Sequence, residues 1–170
     1  MKAKSKPLIL KMAQVYKFEC FDKDGNLKWV EEIENLVTTE GLNTYLDRCL
    51  KTGSGGTPAW FVALKNTGTE VGADTMASHA SWTENVTYSD ATRQALTLGA
   101  IAAGSVDNSA SKAVFNINGT TTIFGAFVTT VSTKSGTTGI LLGVGNFGAS
   151  RAVISGDILN VTITFTITSA

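Results

Sequence analysis

Residues 157–167, DILNVTITFTI, alternate strictly. Leu159, Val161, Ile163, Phe165 and Ile167 share one parity, while Asn160, Thr162, Thr164 and Thr166 share the other with Ile158. A period of two predicts a strand with one dry face and one wet face. The same period, less regular, runs from Leu8 to Phe21, and Asp22-Lys23-Asp24-Gly25-Asn26 then leads into Leu27-Lys28-Trp29-Val30. Asp24-Gly25 supplies the positive φ of a tight turn, so these segments form a predicted hairpin. Further strands are predicted at 60–64, 82–88, 94–101, 113–117, 121–131, 140–147 and 151–154. The segments between them are rich in turn formers, such as Asn118-Gly119 and Ser155-Gly156-Asp157.

One segment has the helical period. Leu42, Tyr45, Leu46, Cys49 and Leu50 lie on a single face of a helix predicted from Thr39 to Lys51. Thr38 or Thr39 caps its start, Glu40 suits its first turn, and Lys51 and Gly53 suit its end. A series of short strands at hairpin spacing with one early helix argues for an all-β fold. The expectation is an antiparallel β-sandwich, jelly-roll-like, with one short amphipathic helix inserted early. Gly125, Gly143 and Gly145 interrupt strands and mark bulges, or places where another backbone or ring packs close, from within the chain or from a neighbouring subunit. At the amino end Lys2, Lys4 and Lys6 alternate with small residues up to Pro7, which disfavours helix at Lys6. Residues 1–12 are therefore read as an extended basic arm, and 13–170 as a single sandwich domain.

Composition narrows the function. At 170 residues and 43% hydrophobic, the chain is large enough to bury a core without staples. Its formal net charge of zero provides no overall attraction to nucleic acid or to an anionic membrane. No apolar run is long enough to span a bilayer, and Lys11 interrupts the amino-terminal one too early for a secretory signal. Without such a signal, Cys20 and Cys49 are expected as free, buried thiols. Charge is concentrated before residue 52; from Gln94 onward only Asp107, Lys112, Lys134, Arg151 and Asp157 are ionisable by composition.

Little is left for chemistry. His79 is the single histidine, and a triad would need it beside Ser78 or Ser81 with Asp74 orienting it. It sits in a loop without a nucleophile elbow, so a hydrogen-bonded or solvated loop histidine is expected. Glu31, Glu32 and Glu34 cluster on a strand, but Glu32 and Glu34 share one face instead of opposing each other across a cleft, as a glycosidase requires. Asp22 to Asn26 lacks the glycine and glutamate positions of an EF-hand. No zinc spacing and no phosphate loop can be written, so neither metal nor cofactor is expected. Asn85, Asn118 and Asn160 match glycosylation acceptors at the frequency expected by chance in so threonine-rich a chain.

Longer stretches carry a resemblance. Trp29, Glu34-Asn35-Leu36-Val37-Thr38, Gly41-Leu42-Asn43, Leu46-Asp47, residues 60–64, 77–82 and 105–115, Gly125-Ala126-Phe127 and residues 152–161 together resemble a group of small virion proteins of tailed bacteriophages. The resemblance covers most of the chain beyond about Trp29 and excludes the lysine-rich arm. Some such proteins are capsid decoration (cement) proteins, typically jelly-roll trimers; others belong to tails or fibres. It implies a non-enzymatic protein of the capsid exterior, made in the host cytoplasm, whose partners are the major capsid protein and its own copies. No catalytic residue is carried over. The neutral, hydroxylated strand faces agree with that picture, because threonine is cheaper to desolvate in an interface than a charge. Lys2, Lys4, Lys6, Leu8, Leu10 and Met12 are the expected contact residues. The alternative is a tail or fibre component that recognises a host glycan, with Trp60 or Trp82 as its aromatic platform.

Overall fold

A computed structural model of the protein describes residues 10–51 and 58–169. Among them eleven strands, one α-helix and one short 3-10 turn follow in order: β1 (Leu10–Phe21), β2 (Leu27–Glu34), β3 (Leu36–Val37), α1 (Thr39–Leu50), β4 (Phe61–Lys65), β5 (Glu84–Asn85), β6 (Gln94–Ala95), β7 (Ser105–Asp107), β8 (Ala113–Asn116), β9 (Thr121–Thr129), β10 (Leu141–Val153) and β11 (Ile158–Ser169). They make two antiparallel sheets. The first runs β2-β1-β11-β7, with β8 on a different stretch of β11; the second runs β3-β10-β9-β4-β5, with β6 also on β4. The expected antiparallel sandwich is what forms. Because β1–β2 and β9–β10 are simple hairpins within a sheet, this order identifies a sandwich rather than a jelly roll in particular.

The first and last strands lie side by side over their full length, from Leu10 opposite Ser169 to Phe21 opposite Ile158. Their matched periods direct Tyr16, Phe18, Leu159, Val161 and Ile163 into the core, where they meet Val62, Leu64, Ile123, Val128 and Phe147 of the second sheet. The second sheet is dry on both faces where β4, the second half of β9 and the first half of β10 lie together. On its far side Ala63, Phe127, Leu141 and Val144 pack under Met76 and Trp82 from the long loop after β4. That loop is polar in sequence, yet it covers a sheet face and seals it.

Several boundaries differ from the sequence expectation. β1 begins at Leu10, so the last residues assigned to the arm belong to a sheet. The two strands expected at 140–147 and 151–154 are one, bent where the register with β9 shifts between Asn146 and Arg151. The predicted strands 82–88 and 94–101 shrink to the two-residue β5 and β6, because after Ala95 the chain leaves the ladder of β4. β3 and β7 were not expected; two or three residues are too few to show a period. Gly125 has φ +152°, and a Cβ there would collide with the Gly145 carbonyl of β10. A Cβ on Gly143 would meet the Asn35 and Gln14 side chains, and one on Gly145 would meet Ile33. All three glycines thus answer close approaches inside the chain.

Candidate interaction surface

The expected helix forms, with the Thr38 hydroxyl accepting from the Gly41 N–H at 3.0 Å as its amino-terminal cap. Its first turn is pressed onto β10, where Glu40 accepts from the Leu141 N–H at 2.7 Å and Gly41 leaves no room for a side chain against Leu142. The apolar stripe is where sequence and structure part. Of the helix only Gly41 is buried. Leu42, Leu46 and Leu50 remain 42%, 58% and 77% exposed, Cys49 is exposed and Tyr45 is half-buried. A stripe of this kind ordinarily faces a core; here it faces outward.

Opposite the stripe stands the overhanging end of the first sheet. Leu10 and Met12 continue the inward parity of Tyr16 and Phe18, and Met12 is paired across the ladder with Ile167. Between them and the core lies a polar layer. The Asn35 amide donates to Gln14 Oε1 at 2.5 Å and to the Tyr16 hydroxyl at 2.8 Å, and that hydroxyl lies 3.4 Å from the Gly143 carbonyl. Burial pushes the Tyr16 hydroxyl far above its ordinary pKa and Tyr45 up to about 12. Beyond this layer the surface turns apolar again and opens to solvent, with Leu10 68% and Ile167 44% exposed. The helix stripe and these residues enclose an open cavity of about 430 Å³. A second, of about 330 Å³, shares Met12, Tyr45 and Ile167 with it and extends to Trp60, Leu98 and the exposed Ile101.

The expected contact residues divide. Leu10 and Met12 line this surface; Lys2, Lys4, Lys6 and Leu8 lie outside the described residues. The facing helix stripe and Ile167 were not among the expected contacts. Amphipathicity was the available signal for the stripe, but it does not say which face is left uncovered.

The candidate chemistry is arranged structurally. His79 stacks on Trp82 at 4.0 Å between ring centroids and donates from Nδ1 to the Trp82 carbonyl at 3.0 Å. Asp74 accepts from Trp82 Nε1 at 2.9 Å and from the Val71 N–H at 3.0 Å, so it orients the indole instead of the imidazole. Trp82 is 2% exposed and presents no platform, whereas Trp60 is half-buried at the rim of the apolar opening. Glu31 is tied to Arg151, with Nε at 2.9 Å, while Glu32 and Glu34 are exposed side chains on one face of β2. Asp22 closes the hairpin by accepting from the Asp24 and Asn26 N–H groups, both at 2.9 Å. Asn85 is buried with its amide donating to Asn66 and Thr121, so that acceptor motif belongs to the core. Cys20 is buried as expected, but Cys49 is not. Among the described residues no group of three metal-ligating side chains converges, and no helix is long and apolar enough to cross a membrane.

No protein-family model, curated protein or solved structure matches the chain.

Proposed function

We propose that the protein is a structural component of a bacteriophage virion, a capsid decoration or cement protein that binds the outside of the assembled shell and stabilises it. One observation carries this reading: a well-packed sandwich presents, beside the start of β1, an apolar face of Leu10, Leu42, Leu46, Leu50 and Ile167 that no other described residue covers. Exposed apolar patches of that kind on otherwise ordinary surfaces mark protein–protein contacts. The outer face of the first sheet adds a hydroxylated stripe, in which Thr162, Thr164 and Thr166 lie beside Lys17, Val15 and Ala13, with the Lys17 charge answered by Glu19 at 3.1 Å. The resemblance to phage virion proteins names the context.

In this reading the partner is the major capsid protein, and the working unit is a homotrimer. Lys2, Lys4, Lys6, Leu8, Leu10 and Met12 lie at the shell or inter-subunit contact. Stabilisation follows from mass action. A ligand that binds the assembled lattice and not its dissociated subunits shifts the balance toward assembly, by about 2.7 kcal/mol per site at a hundredfold excess over Kd. Three linked copies raise the effective concentration of each contact.

The test is to add purified protein to capsids that lack it. Hundreds of bound copies per particle and raised resistance to heat or chelators are expected. Absence of binding overturns the reading, and a few copies located on the tail would transfer the protein to a tail or fibre role.

A further inference from the structure

We propose that the apolar seat between α1 and the β1–β11 end receives the amino-terminal segment of a neighbouring copy, centred on Leu8 and Ile9, and that this exchange of arms holds the oligomer together.

The seat is shaped for an extended apolar segment. Its walls are the Leu42, Leu46 and Leu50 stripe on one side and Leu10, Met12 and Ile167 on the other. One main-chain edge is also available there. β2 pairs with β1 only from Val15 onward, and the Asn35 N–H then bonds the Gln14 carbonyl at 3.0 Å. Over Leu10 to Ala13, among the described residues, β1 is laddered to β11 alone. An extended peptide laid along that edge gains main-chain hydrogen bonds and drops alternate side chains into the seat, the usual economy of strand addition.

The occupant is chosen by where the chain enters. Nine residues precede Leu10, and Leu10 itself is part of the wall. Fully extended, nine residues reach about 30 Å, enough to cross to an adjacent molecule. Leu8 and Ile9 are the large apolar residues next to the entry point, and Leu8 continues the parity of Leu10 and Met12. A copy's own arm cannot use them well. To re-enter its own seat the chain would have to reverse within Pro7-Leu8-Ile9, placing those residues in the turn and delivering Lys6, Ser5 and Lys4 to an apolar surface. A neighbour's arm arrives without a reversal, and its lysines remain in solvent beyond the seat. The same sequence is donor in one copy and wall in the next, so the exchange closes either as a reciprocal two-fold pair or, with each arm donated onward, as a ring when the rotation permits.

The inference concerns the free protein and stands whether or not a capsid is its partner. Cys49, exposed in the wall of the seat, makes it testable. A Leu8→Cys variant is purified and treated with a mild oxidant. A disulfide needs the two Cα atoms within about 7 Å, so a bridge from position 8 to Cys49 of another chain gives covalent oligomers on a non-reducing gel. Peptide mass spectrometry identifies the bridge, and it disappears in the Leu8→Cys, Cys49→Ser double variant. A bridge confined within one chain, or none, overturns the proposal. Independently, the Leu46→Asp variant, altered at an exposed position, and a chain lacking residues 1–9 are expected to remain folded by circular dichroism and to run at least tenfold weaker in self-association. Oligomers of unchanged strength in both, or a wild-type protein that is monomeric at micromolar concentration, would equally overturn it.

Discussion

The Arg93 guanidinium grips the Glu84 carboxylate at two points, Nε to Oε1 at 3.1 Å and Nη2 to Oε2 at 2.8 Å, with both side chains almost sealed from water. The remaining donors of Arg93 reach the Val131 and Gly136 carbonyls at 2.9 and 3.0 Å, and the Ser135 N–H donates to Glu84 at 2.7 Å. The pair therefore ties β5 to the turn that follows β9. Removing one member of a buried pair leaves the other charge without compensation, which typically costs about 3–5 kcal/mol. Glu84→Gln is expected to lower the urea midpoint accordingly. Arg93→Lys should recover little, since an ammonium cannot reproduce the two-point fork; equilibrium denaturation with a fixed slope checks both.

Gly125 is the second point of sensitivity. Its φ of +152° and the Gly145 carbonyl opposite it leave no place for a methyl group. Gly125→Ala is expected to cost about 1–3 kcal/mol for the backbone alone, and more once β10 is displaced. Gly148, where an added Cβ meets nothing within 4 Å, is the control and should tolerate alanine with little change. Thermal melting of the two variants side by side decides the matter.

The two cysteines should differ sharply in reactivity. Cys20 is fully buried, and burial, with the neighbouring Asp157 carboxylate, pushes its thiol up to about 11. Cys49 is exposed. Iodoacetamide at pH 8 is expected to label Cys49 in the native protein and Cys20 only after unfolding, as peptide mapping would show.

Stability should fall on the alkaline side. Burial raises Cys20 to about 11 and Tyr45 to about 12, and raises Tyr16 and Tyr88 beyond that. Such acids ionise sooner in the unfolded chain than in the folded one. From about pH 9 upward the unfolded state therefore loses more protons, and the stability they contribute is lost as pH rises through the folded values. Lys65 and Lys134 act in the opposite direction, since burial lowers both, but they are two groups against four. On the acid side Glu19, held low by Lys112 and Lys17, loses its contribution as pH falls below the usual carboxylate range. Unfolding free energy measured from pH 4 to 11 should peak near neutrality and drop steeply above about pH 9.5; a flat alkaline limb would refute this account.

What the sequence determined by itself was whatever repeats within a few residues. Alternation in β1 and β11, the Asp24-Gly25 hairpin and the 3.6-residue stripe of α1 are local patterns, so the sandwich with one early helix was legible. Of the amino-terminal residues expected to make contacts, Leu10 and Met12 stand in the apolar seat, and the others lie outside the described residues. Only the tertiary structure decided what each pattern faces. The Leu42, Leu46 and Leu50 stripe has the same period whether it covers a core or meets solvent. The polar loop after β4 gives no sign in its composition that Trp82 and Met76 close the far face of a sheet. Lys65 and Arg93 look like surface charges until Asn146 is brought within reach of the first and the Val131 and Gly136 carbonyls within reach of the second, all distant in sequence. Period is a property of neighbours along the chain; burial depends on residues that only folding makes neighbours.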